Sequence, residues 1–443
     1  MAFARRHGSD RRPGAAVRVA GLVGMVGASF GDVAQPLREH QFRWLWLSTF
    51  AWNFARWMEL TVTGWVALEL TGSPWLVALI GVARNAFLPV AGPITGALAD
   101  RFDRVRLMKL AQWGNVLVVG AVAGLLLLGR GAYWQLVLCS LWLGASWGID
   151  WPSRRATIAD MVGPERVLQA VVLDNVTQNL SRIAGPLLAG AVLAAAGGAG
   201  AYAVLAASFL LASTVLVPVR PRRRLNRTPG QSVWRELRAG LAYVRHDAAI
   251  WAVLVITVLM NCLLFPYQQL LSVFAEDVLH VGPVGLGAMG AANGAGAALG
   301  LLLLPPLRRL RWQRLAFAGG SCLGCLAVFC FARTTWFPAA LALLVAAGLG
   351  TAAFGTMQST IILSRAEPAW RGRAMGLLAL AIGSAPAGAL ETTILVDRFG
   401  APAAVAANAA LCGVLVAWAA WQSGVLATRP MARSAPAPAL DRQ

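Results

Sequence analysis

Apolar residues run through this chain in long blocks that charged residues separate. Crossing about 30 Å of hydrocarbon takes roughly 20 residues of helix, and we find twelve blocks of this kind. The pattern predicts an all-α membrane protein with twelve transmembrane helices, some of them tilted or kinked because their blocks are long. The predicted spans are 43–69, 75–98, 107–129, 133–152, 167–195, 199–218, 249–273, 284–306, 313–333, 336–363, 373–396 and 401–426.

The basic residues lie mostly on one side of this arrangement. The loops that alternate on the inner side hold 22 Lys and Arg residues, and the outer loops hold three. Inner loops of membrane proteins carry such an excess, so we expect both termini in the bacterial cytoplasm and the helices in the inner membrane. The same distribution explains the formal net charge of +19 without nucleic acid as a partner.

The composition argues against several kinds of chemistry. Hydrophobic residues make up 58% of the chain and charged residues 13%, against about 25% charged residues in soluble domains. Lys109 is the only lysine, and it does not lie in the Gly-Lys-Ser/Thr sequence of a phosphate-binding loop. Cys322 and Cys325 form a CxxC without the second pair or histidine of a metal site. We expect no metal, no cofactor and no enzymatic activity.

The predicted helices divide into two six-helix bundles that resemble each other loosely, as pseudo-repeats do. We expect the N-terminal bundle at 40–218 and the C-terminal bundle at 249–426. Residues 1–39 and 427–443 are predicted to be disordered tails. The connector 219–248 places apolar residues at helical spacing between arginines, which predicts an amphipathic helix on the inner leaflet.

Glycines are concentrated in spans 2, 5, 8 and 11. Small residues let helix backbones approach closely in lipid. We therefore expect spans 2 and 11, and spans 5 and 8, to form the surfaces along which the two bundles move. Static packing of the same helices is the alternative.

Two motifs resemble those of the major facilitator superfamily. The segment from Gly96 to Arg106, GALADRFDRVR, is similar to its signature loop, Gly-x-x-x-Asp-Arg-x-x-Arg-Arg, with one change of spacing at the end. In span 5, Gly185, Pro186 and Gly190 are similar to the antiporter motif of exporters in that superfamily.

Two further segments, around Phe265 and Arg371, resemble the branch that contains the enterobactin exporter and macrolide-efflux-like proteins. The resemblance covers about 40–426 and implies the major facilitator fold and proton-coupled efflux of a small organic molecule by alternating access. The chain also departs from the pattern. The loop after span 8 keeps basic residues but lacks the acidic one, and Glu391 stands where this branch usually has a small or apolar residue.

The resemblance implies a conformational latch in the signature loop. Asp100 is expected near the N-terminus of span 11 and near Arg154 or Arg155, where the helix dipole and charge pairing favour a carboxylate. Such a contact would hold the outward-facing state. The remaining latch residues are Gly96, Arg101 and Arg104. Alternatively, the arginines only determine the topology.

Charged residues within the spans are the best indication of a functional site. Each costs about 2.5–3.5 kcal/mol at the centre of a membrane helix, so it is normally paired or faces a cavity. Arg56 and Glu59 lie three residues apart in span 1, and Arg84 lies at a similar depth in span 2. We expect these three to line the cavity. A structural salt bridge between spans 1 and 2 is the alternative.

Span 5 carries a polar stripe about 12 Å long at 1.5 Å per residue. Asp174, Gln178 and Arg182 share one helix face, with Asn175 beside them. A stripe of this polarity cannot face lipid. We expect it to line the cavity, with helix–helix hydrogen bonding as the alternative.

In the C-terminal bundle, Asn293 and Glu391 are assigned to the same cavity. The other amides are expected to pack between helices, as isolated amides in membrane helices usually do. These amides are Asn261, Gln268, Gln269 and Gln358.

The proton carrier is expected to be Glu59, Asp174 or Glu391, because burial favours the neutral form of a carboxyl group. A substrate that displaces a neighbouring arginine would favour protonation, which gives an exchange mechanism. The expected partners are a small-molecule substrate, protons and lipids, and the expected state is a monomer. The alternatives are a facilitator or importer on the same scaffold, and a non-transporting membrane sensor.

Overall fold

The computed structural model describes residues 35–87, 103–163, 165–220, 233–303, 310–367 and 370–423. Within these ranges the chain is helical and contains no strand, which confirms the all-α prediction. Three of the predicted latch residues, Gly96, Asp100 and Arg101, lie outside the described residues. The same is true of the predicted C-terminal tail and of residues 1–34.

Thirteen helices can be numbered along the described chain, and one of them continues irregularly. After α7 the helix winds on through π-helical turns at Met260–Leu264 and Phe274–Val278 and a 3-10 stretch at Phe265–Leu270; we call this the irregular segment, 260–278. The helices are α1 (His40–Thr71), α2 (Pro74–Asn85), α3 (Arg104–Leu127), α4 (Tyr133–Val162), α5 (Val167–Leu216), α6 (Val233–Arg245), α7 (Ala248–Leu259), α8 (Gly282–Leu303), α9 (Leu310–Arg333), α10 (Phe337–Arg365), α11 (Arg371–Ile382), α12 (Ala385–Phe399) and α13 (Ala401–Gln422).

Eight helical segments of the described chain are long and apolar enough to cross a membrane. They are α3, α5, α7 with the irregular segment, α8, α9, α10, α11 with α12, and α13. Their outer surfaces carry large apolar side chains: Leu110, Leu117 and Leu302 are 70%, 72% and 75% exposed. Apolar exposure on this scale requires lipid as the surrounding medium. The protein is a multi-pass membrane protein.

The helix ends follow local chemistry. The Asp103 carboxylate accepts from two backbone N–H groups in the first turn of α3, at 2.9 and 3.1 Å, and Asp247 caps α7 in the same way. α1 ends at Gly72, whose φ of 61° is left-handed and carries no Cβ penalty. Gly197, with φ 65° and ψ −172°, breaks the helical conformation inside α5, so this long helix consists of two parts that meet at a kink.

The structure corrects the predicted end of span 4. α4 continues to Val162, well past residue 152, and therefore carries Arg154 and Arg155 on a helix instead of a loop. The Asp150 carboxylate lies one turn before Arg154 and accepts from its Nε at 2.9 Å. This pairing neutralises the arginine inside the protein, so the helix does not have to end where the charges begin.

The helices pack in two sets. In the first set α5 packs on α1 and α3, and α3 packs on α4; in the second set α10 packs on α8 and α9, and α9 packs on α13. The sets meet mainly where α5 packs on α8 and α2 packs on α12. α5 and α8 cover residues of predicted spans 5 and 8, and α2 and α12 cover residues of predicted spans 2 and 11. These are the helix pairs that the glycine pattern predicts. We call the end of the molecule that carries Arg104, Arg155 and Arg371 the basic end.

The connector helix α6 docks on other helices at the basic end. The Tyr243 ring stacks on Trp370 with 4.8 Å between ring centroids, and its hydroxyl oxygen accepts from the Glu367 backbone N–H at 3.1 Å. Val244 is fully buried, and the helix contacts α7 and α11. This face of α6 therefore packs on protein, and the position of the helix on the inner leaflet stays a prediction.

Replacing Arg365 with Met should loosen this docking. The guanidinium of Arg365 pairs with Asp247 at 2.8 Å, and the two side chains are 17% and 12% exposed. A charged hydrogen bond at this partial exposure is worth about 1–2 kcal/mol, so we expect a loss of that size in the free energy of unfolding. The measurement is unfolding by SDS in mixed micelles. The Arg398→Met variant, in which an exposed arginine is replaced, is the control, and equal losses in both variants would contradict the assignment.

Candidate functional site

A cavity of about 370 Å³ lies between the two helix sets. Its wall mixes cationic, amide and aromatic side chains. The first set contributes Arg56, Trp57, Leu60, Arg84, Asn85, Trp147 and Arg182, and the second contributes Asn261, Phe265, Pro266, Gln268, Gln269, Thr351, Phe354, Gly355, Gln358, Ile382, Ala385 and Ala389.

Three charged residues of the first set meet at one wall of the cavity. Glu59 of α1 and Arg84 of α2 form an ion pair, and their side chains are 2% and 10% exposed. The Thr63 hydroxyl donates to the Glu59 carboxylate at 3.3 Å. The Arg56 guanidinium forms no ion pair with the described residues and lies 4.4 Å from the Trp147 ring centroid. The structure therefore brings the predicted triad together and pairs two of its members.

Arg182 of α5 connects the two helix sets. It donates to Asn293 Oδ1 of α8 at 2.6 Å, and Asn293 Nδ2 donates to the Tyr267 hydroxyl at 2.8 Å. The guanidinium lies 5.0 Å from the Trp57 ring centroid. Its Nε is buried and has no hydrogen-bond partner among the described residues. Arg182 thus combines a bridge between the sets with an unused donor beside the cavity.

The backbones of the two sets are in close contact on the side of the cavity away from the basic end. A Cβ at Gly190 of α5 would lie 2.5 Å from the Pro283 carbonyl oxygen and 2.9 Å from the Gly287 Cα. A Cβ at Gly287 of α8 would lie 2.7 Å from the Pro186 carbonyl oxygen. Contacts this short are open only to glycine. We call this contact, formed by Pro186, Gly190, Pro283 and Gly287, the glycine seal.

Gly185, the first residue of the Gly-Pro motif, faces the other way. A Cβ there would lie 2.9 Å from the Trp57 Cβ and 3.1 Å from the Phe54 carbonyl oxygen, so Gly185 allows α5 to pack against α1. Pro186 and Gly190 face α8. The motif therefore fixes α5 against helices of both sets at once.

Six of the nine residues assigned to the cavity from the sequence do not line it. Glu59 lies behind Arg84, and Asn293 contacts Arg182. Asp174, Asn175 and Gln178 are nearer the basic end of α5 than Arg182 and do not line the cavity. The Glu391 carboxylate accepts from Asn408 of α13 at 2.8 Å, so it faces a helix of its own set. The position of a residue along a helix predicts the depth of its side chain in the membrane. The rotation of the helix about its own axis decides whether that side chain faces the cavity.

The amides that we expected to pack between helices line the cavity instead. Asn261, Gln268, Gln269 and Gln358 all belong to its wall. Three of them, Asn261, Gln268 and Gln269, lie in the irregular segment, whose winding changes around Pro266 because proline has no N–H for the helical ladder. The proline beside two adjacent glutamines was the available signal in the sequence.

A second buried charge cluster lies in the first set, outside the cavity wall. Asp150 accepts from Arg154 Nε at 2.9 Å and from Gln112 Nε2 at 2.5 Å. Arg154 also donates to Thr49 Oγ1 at 3.0 Å, and its guanidinium lies 5.2 Å from the Trp52 ring centroid. The i, i+4 spacing of Asp150 and Arg154 on one helix could have indicated this pair.

The described latch residues are engaged with partners of their own. Arg104 pairs with Asp160 at 3.0 Å, and Arg154 belongs to the buried cluster with Asp150. The guanidinium of Arg155, an exposed residue, lies 4.4 Å from the Trp151 ring centroid. A contact of Asp100 with Arg154 would therefore have to compete with the pairing to Asp150.

The fold is similar to that of solved transporters. It resembles a bacterial homologue of the human lysosomal transporter Spinster in an inward-facing, unoccupied conformation, with a TM-score of 0.66 and 14% identity over 88% of this chain and 96% of that one. It also resembles the nucleoside transporter NupG, with a TM-score of 0.67 and 12% identity over 87% and 99% of the two chains. At these identities the likeness concerns the fold alone.

The sequence gives the family. The model of the transmembrane secretion effector family matches residues 32–438, and the chain belongs to this family of major facilitator superfamily (MFS) transporters, which are not enzymes. The enterobactin exporter EntS of Shigella boydii serotype 4 (strain Sb227) is 24% identical over 70% of this chain and 73% of its own length. The uncharacterized MFS-type transporter YfiS of Bacillus subtilis (strain 168) is 27% identical over 35% of this chain, and the match spans only 36% of YfiS.

Proposed function

We propose that this protein is a secondary active transporter that exports a small organic molecule by proton-coupled alternating access. The observation that carries the proposal is a charged cavity between two helix sets, closed on one side by the glycine seal. Charges in a membrane protein concentrate where a solute or ion passes. The family supports transport, and the relatives named as enterobactin exporters support the outward direction.

The proposed arrangement has twelve spans in two six-helix bundles, at 40–218 and 249–426. In this count α5 supplies two spans, which are divided at Gly197. α7 with the irregular segment forms one span, and α11 with α12 forms another. α1, α4 and the chain that begins with α2 supply the remaining N-terminal spans. The basic end would face the cytoplasm of the bacterial cell, with both termini inside and the protein acting as a monomer in the inner membrane. The cavity would then be open inward.

We assign roles to the site residues from their contacts. Glu59 and Arg84 form the proton-coupling pair, since their ion pair breaks when the carboxylate is protonated. Arg56, Arg182 and Asn293 bind substrate or hold the groups that do. The Asp174, Asn175 and Gln178 stripe lines the path between the cavity and the cytoplasm, and Glu391 holds α12 on α13 through Asn408. Gly96, Asp100, Arg101, Arg104, Arg154 and Arg155 remain the proposed latch.

A cysteine at Gly355 tests alternating access without a known substrate. Gly355 is exposed, lines the cavity, and has open space where a Cβ would lie. In a background without the native cysteines, we expect a membrane-impermeant maleimide to label Gly355→Cys in inside-out vesicles much faster than in right-side-out vesicles. Adding Gly287→Val should open the glycine seal, because the new side chain overlaps Pro186, and should shift labelling toward the outer side by at least about tenfold, which is roughly 1.4 kcal/mol.

Gly120→Val is the matched control. Gly120 also lies in a helix, and a Cβ there meets nothing within 4 Å, so labelling of Gly355→Cys should stay as in the parent. Labelling of the parent from the outer side only would contradict the proposed orientation. Equal labelling ratios in the Gly287→Val and Gly120→Val backgrounds would contradict the role of the glycine seal.

A further inference from the structure

The charged side chains described in the cavity wall are all positive. Among the described residues that line it, three are arginines, Arg56, Arg84 and Arg182, and none is a carboxylate. Arg84 is neutralised by Glu59 behind it. Arg56 and Arg182 belong to none of the ion pairs of the described residues. The described part of the cavity wall therefore carries an excess of two positive charges.

Both unpaired guanidinium groups are held in place and keep donors available. Arg182 uses one nitrogen on Asn293, and its Nε is buried without a partner among the described residues. Arg56 lies against the Trp147 ring; Arg182 lies against Trp57. Aromatic faces partly stabilise a cation, but they do not satisfy its hydrogen bonds. A buried charge without an opposite charge costs several kcal/mol, so a bound anion would stabilise this arrangement.

The remainder of the wall suits an organic body. Trp57, Trp147, Phe265 and Phe354 contribute aromatic surface, and amide side chains stand between them. Ligand sites combine such apolar surface with a few fixed polar groups. Guanidinium is the side chain best shaped for carboxylate, sulfonate or phosphate.

We propose that the transported substrate is an organic anion with an aromatic or similarly apolar body, whose acidic group binds at Arg182 and Arg56. This rests on the proposed transport function and names the class of its substrate.

A set of three probes with the same ring tests the inference by binding alone. The probes are naphthoate, naphthamide and naphthylmethylamine, which are anionic, neutral and cationic. We expect naphthoate to raise the thermal unfolding midpoint of the purified protein in neutral detergent, and the other two to leave it unchanged at equal concentration. Arg182→Gln and Arg56→Gln should each weaken naphthoate binding at least about tenfold, equivalent to roughly 1.4 kcal/mol.

Two variants serve as controls that distinguish loss of binding from loss of the folded structure. Arg182→Lys keeps the charge and should retain more naphthoate binding than Arg182→Gln, and Arg398→Gln, at an exposed arginine, should bind naphthoate like the parent. Equal shifts by the three probes, or a larger shift by the amine, would overturn the inference. Equal shifts by naphthoate and inorganic phosphate would also overturn it, because the site would then take a small ion without regard to the organic body.

The inference and the proposed function can fail separately. Binding of naphthoate is measured without transport, and the labelling of Gly355→Cys is measured without substrate. If naphthoate does not bind while the labelling still shifts with Gly287→Val, alternating access stands and the anionic substrate is rejected. Selective binding without that shift would retain the anion site and reject the alternating-access mechanism.

Discussion

Asp150→Asn should lower the free energy of unfolding by about 3–5 kcal/mol, the usual result of removing one partner of a buried ion pair. The Asp150 and Arg154 side chains are 0% and 3% exposed. The substitution leaves the guanidinium without its counter-charge in a place that water does not reach. Thr49 and Trp52 remain beside it but carry no charge. We would measure the loss by SDS unfolding in mixed micelles.

The double variant Asp150→Leu with Arg154→Met separates the cost of a lone charge from the value of the pair. It removes both charges and keeps the volume, so its stability should return to within about 1–2 kcal/mol of the parent. Arg104→Met is the exposed comparison: its pair with Asp160 is 43% and 34% exposed and should be worth at most about 1 kcal/mol. A loss in Asp150→Asn no larger than that in Arg104→Met would show that Arg154 finds water or another partner.

Hydropathy predicted several helices with their ends because apolar runs in this chain stop at charged residues. The predicted spans 313–333 and 401–426 agree closely with α9 (Leu310–Arg333) and α13 (Ala401–Gln422). Span 4 is one exception. Arg154 and Arg155 indicated a loop, yet α4 continues past them because Asp150 neutralises Arg154. A partner one helical turn away changes the cost of burying a charge, and hydropathy does not include that partner.

The candidate site was harder to predict because depth in the membrane does not fix the direction of a side chain. Glu59 and Arg84 were expected to meet because they lie at similar depths in consecutive spans, and the structure pairs them. Glu391 lies within a span as well, but α12 is rotated so that its carboxylate faces Asn408. Helix rotation is set by packing across the whole molecule, and the glycine pattern indicates only which helices approach each other.

The irregular segment was the least predictable element. Its apolar composition predicted one plain helix over 249–273, whereas the structure has π-helical and 3-10 turns around Pro266. The proline indicated a disturbed ladder but not the direction in which the following glutamines would turn. That direction gives the cavity Gln268 and Gln269, and it depends on contacts with the first helix set, such as the packing of Gln269 on Gly81.

Glu59→Gln should remove the pH dependence of cavity access. The Glu59 carboxylate is 2% exposed and pairs with Arg84, so protonation breaks a buried ion pair, a change of about 3–5 kcal/mol. Even a fraction of that energy shifts a two-state equilibrium by tenfold or more, since each tenfold needs about 1.4 kcal/mol. In the parent we expect the ratio of inside to outside labelling at Gly355→Cys to differ between acidic and alkaline buffers over the pH range in which the protein stays folded.

In Glu59→Gln the ratio should stay constant over the same range, because glutamine cannot take up a proton. The ratio is the proper quantity, since the reactivity of the thiol itself varies with pH on both sides and cancels. Glu69→Gln is the matched control: Glu69 lies on the same helix, α1, but is exposed, so this variant should keep the response of the parent. A response that survives in Glu59→Gln and disappears in Glu69→Gln would move the coupling site away from the cavity. If the pH response persists in both variants, Asp174 is the acid to test next, since it lies nearer the basic end of α5.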